Sequence, residues 1–90
     1  MKIPETIKVG GLTFKVIIVD DLEDDKSSAR TNYQTLTIKI EKAKEEFMKL
    51  AFLHEMFHTM NSEFDEEKVE SLAVSLFQII TDNPKIFNGE

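Results

Sequence analysis

Residues 41–60 read EKAKEEFMKLAFLHEMFHTM, a stretch that contains neither glycine nor proline and is rich in Ala, Glu, Lys, Met and Leu. This composition predicts a helix from about Glu41 to Met60. With about 100° between successive residues, its apolar side chains fall on two sides: Phe47, Leu50, Ala51 and Phe57 on one, Phe52 and Met56 on the other. Because a helix that is apolar nearly all round is buried between layers, we place it centrally, with a sheet against one side and a second helix against another.

The residues before this helix read as strands joined by turns. The runs ETIKV (5–9) and LTFKVIIV (12–19) flank Gly10-Gly11, and a two-glycine turn between such runs predicts a hairpin. Further on, TLTIKI (35–40) alternates polar and apolar residues as a strand does. A turn at Asn32-Tyr33 would join this strand to a short strand before it.

A second helix is predicted from about Asp65 to Thr81, where apolar residues recur at helical spacing before Asn83-Pro84 ends the pattern. Ser62, with Asp65 three residues later, resembles a capping box at its start. Strands come first and helices after, which predicts an α+β fold: a small antiparallel or mixed sheet followed by two packed helices. All ninety residues (1–90) are expected to form one domain.

Composition narrows the classes of partner. The net charge of −6 argues against nucleic-acid and anionic-membrane partners. No apolar run has the length of a membrane span, and the N-terminus lacks the apolar core of a secretory signal. The chain has no cysteine, which excludes disulfides and thiolate metal sites and fits a reducing compartment. We therefore expect a cytoplasmic monomer.

The segment HEMFH (54–58) holds both histidines of the chain. Because positions i and i+4 share one helix face, His54 and His58 can both reach a single ion. Glu55 is rotated by about 100° from His54 and can reach a water on that ion. This is the logic of H-E-x-x-H: two imidazoles hold Zn²⁺, and the carboxylate takes a proton from the activated water. The alternative is a packing helix that contains two histidines by chance.

A catalytic zinc site needs a third protein ligand and an open position. Since the chain has no further His and no Cys, this ligand must be Asp or Glu. With a short turn between two antiparallel helices, Glu70 lies opposite the midpoint of His54 and His58, at the border of the apolar stripe. Glu66, one turn earlier, is the rival candidate, and Asp65 is a weaker one.

HEMFH followed by ESLA resembles the HExxH…ExxA pattern of the gluzincins, zinc metallopeptidases whose third ligand is a glutamate on the helix after the active-site helix. The small size and the stretch EEKVESLAVSLFQIITDNP (66–84) are most similar to the minimal zincin-like domains of phages and prophages that are related to the ImmA/IrrE metallopeptidases. The likeness is close in the helical half and general in the strand half. It implies a peptide-hydrolysing enzyme with one Zn²⁺ per chain on His54, His58 and Glu70, and with Glu55 as the general base.

The same resemblance implies where a substrate binds. In zincins an extended peptide pairs with an edge strand along the cleft, and the strand near Leu36–Ile40 would match it.

In related families the residue after ExxA is often Asp or Asn, which supports a ligand histidine. Here that residue is Val74, so Asn61, Asp65 or Glu66 would have to orient an imidazole.

A peptidase also stabilises an oxyanion. Tyr33 and Arg30, just before the predicted edge strand, are the candidates; alternatively, Tyr33 is a turn residue whose ring packs on the sheet. Two other interpretations of the whole chain stand beside the peptidase. One is a non-catalytic zinc-binding zincin-like domain that serves stability or binds a partner protein, and the other is a metal-free packing module.

Overall fold

The computed structural model describes residues 1–23 and 27–88, which form one sheet followed by helices. The strands are β1 (Thr6–Val9), β2 (Leu12–Val19), β3 (Ala29–Asn32) and β4 (Thr37–Glu41), and the helices are α1 (Glu45–Met60), α2 (Glu66–Asp82) and the short α3 (Lys85–Asn88). The predicted α+β class is confirmed. The first helix starts later than expected, because Glu41 still belongs to β4 and pairs with Val19 of β2.

The predicted hairpin is present. β1 and β2 pair antiparallel, with Val9 opposite Leu12. The two residues between them, Gly10 and Gly11, have φ of +58° and +86°. A two-residue hairpin loop favours positive φ at these positions, and glycine adopts it without steric cost.

The strand order is β1-β2-β4-β3. β4 runs parallel to β2 and antiparallel to β3, so the sheet is mixed. The prediction that Leu36–Ile40 forms an edge strand is therefore wrong, since β4 is hydrogen-bonded on both sides. The physical reason is burial: Ile38 and Ile40 are 0% exposed, and the centre of the sheet is the place that covers such side chains. Among the described strands, β1 and β3 form the edges.

α1 lies between the sheet and α2, as predicted, and contacts β3, β4 and α2. Residues of all three layers form the core: Phe14, Ile38, Ile40, Phe52, Leu53, Val69 and Ala73. The start of α1 departs from this arrangement. Phe47, one of the apolar residues behind the prediction of a central helix, is 59% exposed.

α2 begins within one residue of its predicted start, but the predicted capping box is wrong. Asp65 is itself the N-cap, because its Oδ1 accepts a hydrogen bond of 2.7 Å from the backbone N–H of Lys68. Ser62 lies in the turn before it. Within the described ranges, the helices fall short of the length and apolar character that crossing a membrane requires.

Candidate metal centre

The two histidines lie side by side on α1. The Nε2 atoms of His54 and His58 are 3.2 Å apart, and the ring centroids are 4.9 Å apart. This follows from the helix, because four residues advance it by slightly more than one turn. Both side chains are about one-fifth exposed, so the rings are mostly buried yet reachable from solvent.

Glu66, in the first turn of α2, faces both of these nitrogens. Its Oε1 is 2.8 Å from Nε2 of His58, and its Oε2 is 3.1 Å from Nε2 of His54. One donor atom from each of these three residues lies within 4.8 Å of the other two. Glu66 is thus the carboxylate that the structure brings to the point where the two imidazoles meet.

Glu70 approaches His54 from the other side of its ring. Its Oε2 is 3.1 Å from Nδ1 of His54. The side chains that could have oriented an imidazole instead are engaged elsewhere: Asn61 accepts a hydrogen bond from the backbone of Glu63, and Asp65 caps α2. Glu70 therefore occupies the position of an orienting carboxylate.

The donor set fits a zinc ion. Two nitrogen ligands at about 2.0–2.1 Å from one tetrahedral ion stand roughly 3.3 Å apart, close to the 3.2 Å between the Nε2 atoms of His54 and His58. The third donor is a carboxylate oxygen of Glu66. Three such ligands beside an open cavity form the type of set that catalytic zinc sites use.

Glu55 is tied to the edge strand β3. The hydroxyl of Thr31 donates a hydrogen bond of 2.7 Å to its Oε1, across 24 positions of sequence. Thr31 lies on the helix-facing side of β3, opposite the buried Ile38. This bond engages one carboxylate oxygen of Glu55, a residue that also lines the cavity beside His54.

Tyr33 lies close enough to Glu55 to sense its charge. Partial burial, and secondly the Glu55 carboxylate, raise the pKa of the Tyr33 phenol above 10.0. Its ring also packs edge-on against Phe14, with the centroids 6.2 Å apart. Arg30 points away from α1, because strand residues alternate between the two faces of a sheet and its neighbour Thr31 faces α1. Tyr33 therefore lies within the electrostatic reach of Glu55, and Arg30 lies on the opposite face of the sheet.

An open cavity of about 440 Å³ adjoins His54. It lies between α1, the start of α2 and the segment that leads into β3. His54 and Glu55 line it together with Glu66 and Glu70. A molecule entering this cavity would meet the imidazole of His54 and the carboxylate of Glu55 at once.

No family model, no curated protein and no solved structure matches this chain. The gluzincin resemblance therefore rests on its motif residues, and the arrangement of the side chains is a separate observation. That arrangement includes Thr31, which sequence analysis did not single out. A threonine in a short strand carries no signal of its partner, because the contact with Glu55 exists only after β3 packs on α1.

Proposed function

We propose that this protein is a zinc-dependent metallopeptidase with one Zn²⁺ per chain on His54, His58 and Glu66. The observation that carries the proposal is the Glu66 carboxylate, which lies 2.8 and 3.1 Å from the two Nε2 atoms. Glu70 then orients His54 through Nδ1, as carboxylates commonly do for ligand histidines. The resemblance to gluzincins assigned Glu70 as the ligand, so this proposal exchanges the roles of the two glutamates.

When bound, Zn²⁺ acts as a Lewis acid and lowers the pKa of a coordinated water to about 7. The chain supplies the other functions. Glu55, held at Oε1 by Thr31, accepts the proton of the attacking water on its other oxygen and passes it to the leaving amine. Tyr33, whose pKa lies above 10.0, carries its phenolic proton at neutral pH and is the candidate donor to the oxyanion.

The substrate is a peptide or protein segment in extended form. β3 is an edge of the sheet, and its first residue Ala29 lines the cavity. An extended peptide can add to such an edge by backbone hydrogen bonds. We place the substrate on β3 (Ala29–Asn32) in place of Leu36–Ile40. The cytoplasmic location and the monomeric state stay predictions from sequence.

Zinc content of purified variants tests the ligand set. Wild type should bind about one Zn²⁺ per chain, and Glu66→Ala should lose it. Glu70→Ala should keep the ion with an affinity weakened by about 10- to 100-fold, the usual effect of losing an orienting partner. Glu67→Ala, which removes a neighbouring charge on the same helical turn, is the matched control and should match wild type.

If Glu70→Ala abolishes binding and Glu66→Ala does not, the ligand is Glu70 and the exchange of roles is wrong. A wild-type protein that binds no zinc, even when zinc is added back, rejects the metal centre altogether.

Cleavage of an unfolded protein such as reduced casein tests the catalytic part. Glu55→Gln should keep its zinc and lose activity by about 10²- to 10⁴-fold, the usual contribution of a general base. A zinc-loaded wild type that cleaves no unfolded substrate would favour the non-catalytic zinc-binding domain instead.

A further inference from the structure

One face of α1 is apolar near the start of the helix and polar near the candidate metal centre. Phe47, Leu50, Ala51, His54 and Glu55 follow each other at spacings of three, one, three and one, so they share one helix face. The first three side chains are apolar, and the last two belong to the candidate metal centre. All five line the same cavity of about 440 Å³.

The apolar part of this face is poorly covered by the described part of the chain. Phe47 is 59% exposed, while Leu50 and Ala51 are half-buried. Ser28 and Ala29, which lead into β3, border the cavity as well. We call Phe47, Leu50 and Ala51 the apolar groove. The apolar groove lines the same cavity as His54 and Glu55, and this continuity with the candidate metal centre points to part of the substrate as its occupant.

The length of the groove sets how far from the scissile bond the occupant lies. With a rise of about 1.5 Å per residue, Phe47 lies roughly 10 Å along the helix from His54, and Leu50 lies roughly 6 Å from it. An extended peptide advances about 3.3 Å per residue. A side chain that contacts Leu50 and Phe47 therefore belongs to a residue two or three positions from the scissile bond.

We propose that the apolar groove binds a large apolar side chain of the substrate, aromatic or long aliphatic, two or three residues from the bond that is cut. This inference rests on the proposed metallopeptidase function. It gives the enzyme a preference for apolar segments, which unfolded or extended polypeptides expose and folded domains bury.

Unbranched alkyl hydroxamates test the groove without any cleavage. Their head group chelates zinc, and their chain can extend along the face of α1. The dissociation constants of acetohydroxamate through decanohydroxamate are measured on the zinc-loaded protein by calorimetry. Affinity should rise by up to about fourfold per methylene, the equivalent of about 0.8 kcal/mol per buried CH₂, and should level off once the chain reaches Phe47.

Phe47→Ser should remove most of the gain in affinity for the longer chains. Met60→Ser is the matched control, since Met60 is an apolar residue of α1 that is 55% exposed and lies outside the lining of the cavity. This control should keep the full dependence on chain length. Acetohydroxamate is too short to reach Phe47, so its affinity reports on the metal centre alone.

The outcomes separate the two proposals. If acetohydroxamate does not bind, the metal centre is overturned, and the groove as a substrate site is overturned with it. If acetohydroxamate binds but longer chains bind no better, or if Phe47→Ser and Met60→Ser behave alike, the groove alone is overturned.

Discussion

At the scale of single residues, His54 is the side chain on which the site depends most. Each of its ring nitrogens faces a different carboxylate, Nε2 facing Glu66 and Nδ1 facing Glu70, both at 3.1 Å. A metal held at Nε2 would leave the ring proton on Nδ1, from which it would be donated to Glu70. Two glutamates one helical turn apart can therefore serve one histidine in two different roles.

Tyr33 allows a prediction at the same scale. It is the only tyrosine of a chain without tryptophan, so ultraviolet absorbance follows its ionisation without interference. Its midpoint in the metal-free protein should lie above 10.0, because burial and then Glu55 raise its pKa. Glu55→Gln removes the second cause and should lower the midpoint without bringing it below 10.0, whereas Glu46→Gln, at the far end of α1, should leave it unchanged.

The raised pKa of Tyr33 also makes the free energy of unfolding depend on pH at alkaline values. Above pH 10.0 the unfolded chain loses the phenolic proton of Tyr33 before the folded protein does, so the unfolded state binds fewer protons. The free energy of unfolding should therefore fall as the pH rises above 10.0. A midpoint at or below 10.0 in wild type would show that Glu55 and burial do not act on Tyr33.

At the scale of elements, the start of α2 decides where the two glutamates stand. Glu66 is the first residue of the helix, and the Asp65 cap holds the turn that presents it. β3 has the corresponding role for Glu55, the proposed general base, since the hydroxyl of Thr31 donates a hydrogen bond to its carboxylate. The candidate site is thus assembled from one helix face, one helix start and one edge strand.

Asp65→Ala should lower the free energy of unfolding by about 1 kcal/mol, the usual cost of losing an N-cap. Asp65→Asn keeps a capping oxygen and should cost only a fraction of this. Urea denaturation of the metal-free protein measures both, and Glu67→Ala controls for the loss of a negative charge near the helix start. Equal stability of Asp65→Ala and wild type would mean that the hydrogen bond to Lys68 contributes nothing.

At the scale of the whole molecule, α1 and α2 meet on a small core. A chain of ninety residues buries a limited fraction of its surface and is only marginally stable. Val69 and Ala73 of α2 are both 0% exposed, and Ala73 packs in the same core cluster as Phe52 and Leu53 of α1. A metal shared by His54, His58 and Glu66 would join the same two helices a second time.

Zinc should therefore stabilise the fold. At a free zinc concentration about 100 times the dissociation constant, the gain is about 2.7 kcal/mol, and each kcal/mol raises the melting temperature of a domain of this size by roughly 4–8 °C. Calorimetric melting with added zinc and with a chelator measures the difference. His54→Ala should melt at the same temperature in both conditions, whereas a wild type that also does so would exclude a metal that links the helices.

Local patterns of the sequence by themselves determined much of this protein. The two glycines predicted the β1–β2 hairpin, composition predicted α1, and apolar periodicity predicted α2. The order of strands and helices predicted the α+β class, and the i, i+4 spacing predicted that His54 and His58 share one face. These features depend on residues near each other in the chain, so a single sequence carries them. For the same reason HEMFH identified the region of the site.

Only the tertiary structure decided which elements lie beside one another. Parallel pairing of β2 with β4 moved the predicted edge strand to the centre of the sheet and left β3 at the edge. The packing of α2 on α1 brought Glu66 to both Nε2 atoms and Glu70 to Nδ1. A single helical pattern cannot distinguish two glutamates one turn apart, because their roles depend on how far one helix is displaced along the other, and the buried side chains of both helices set that displacement.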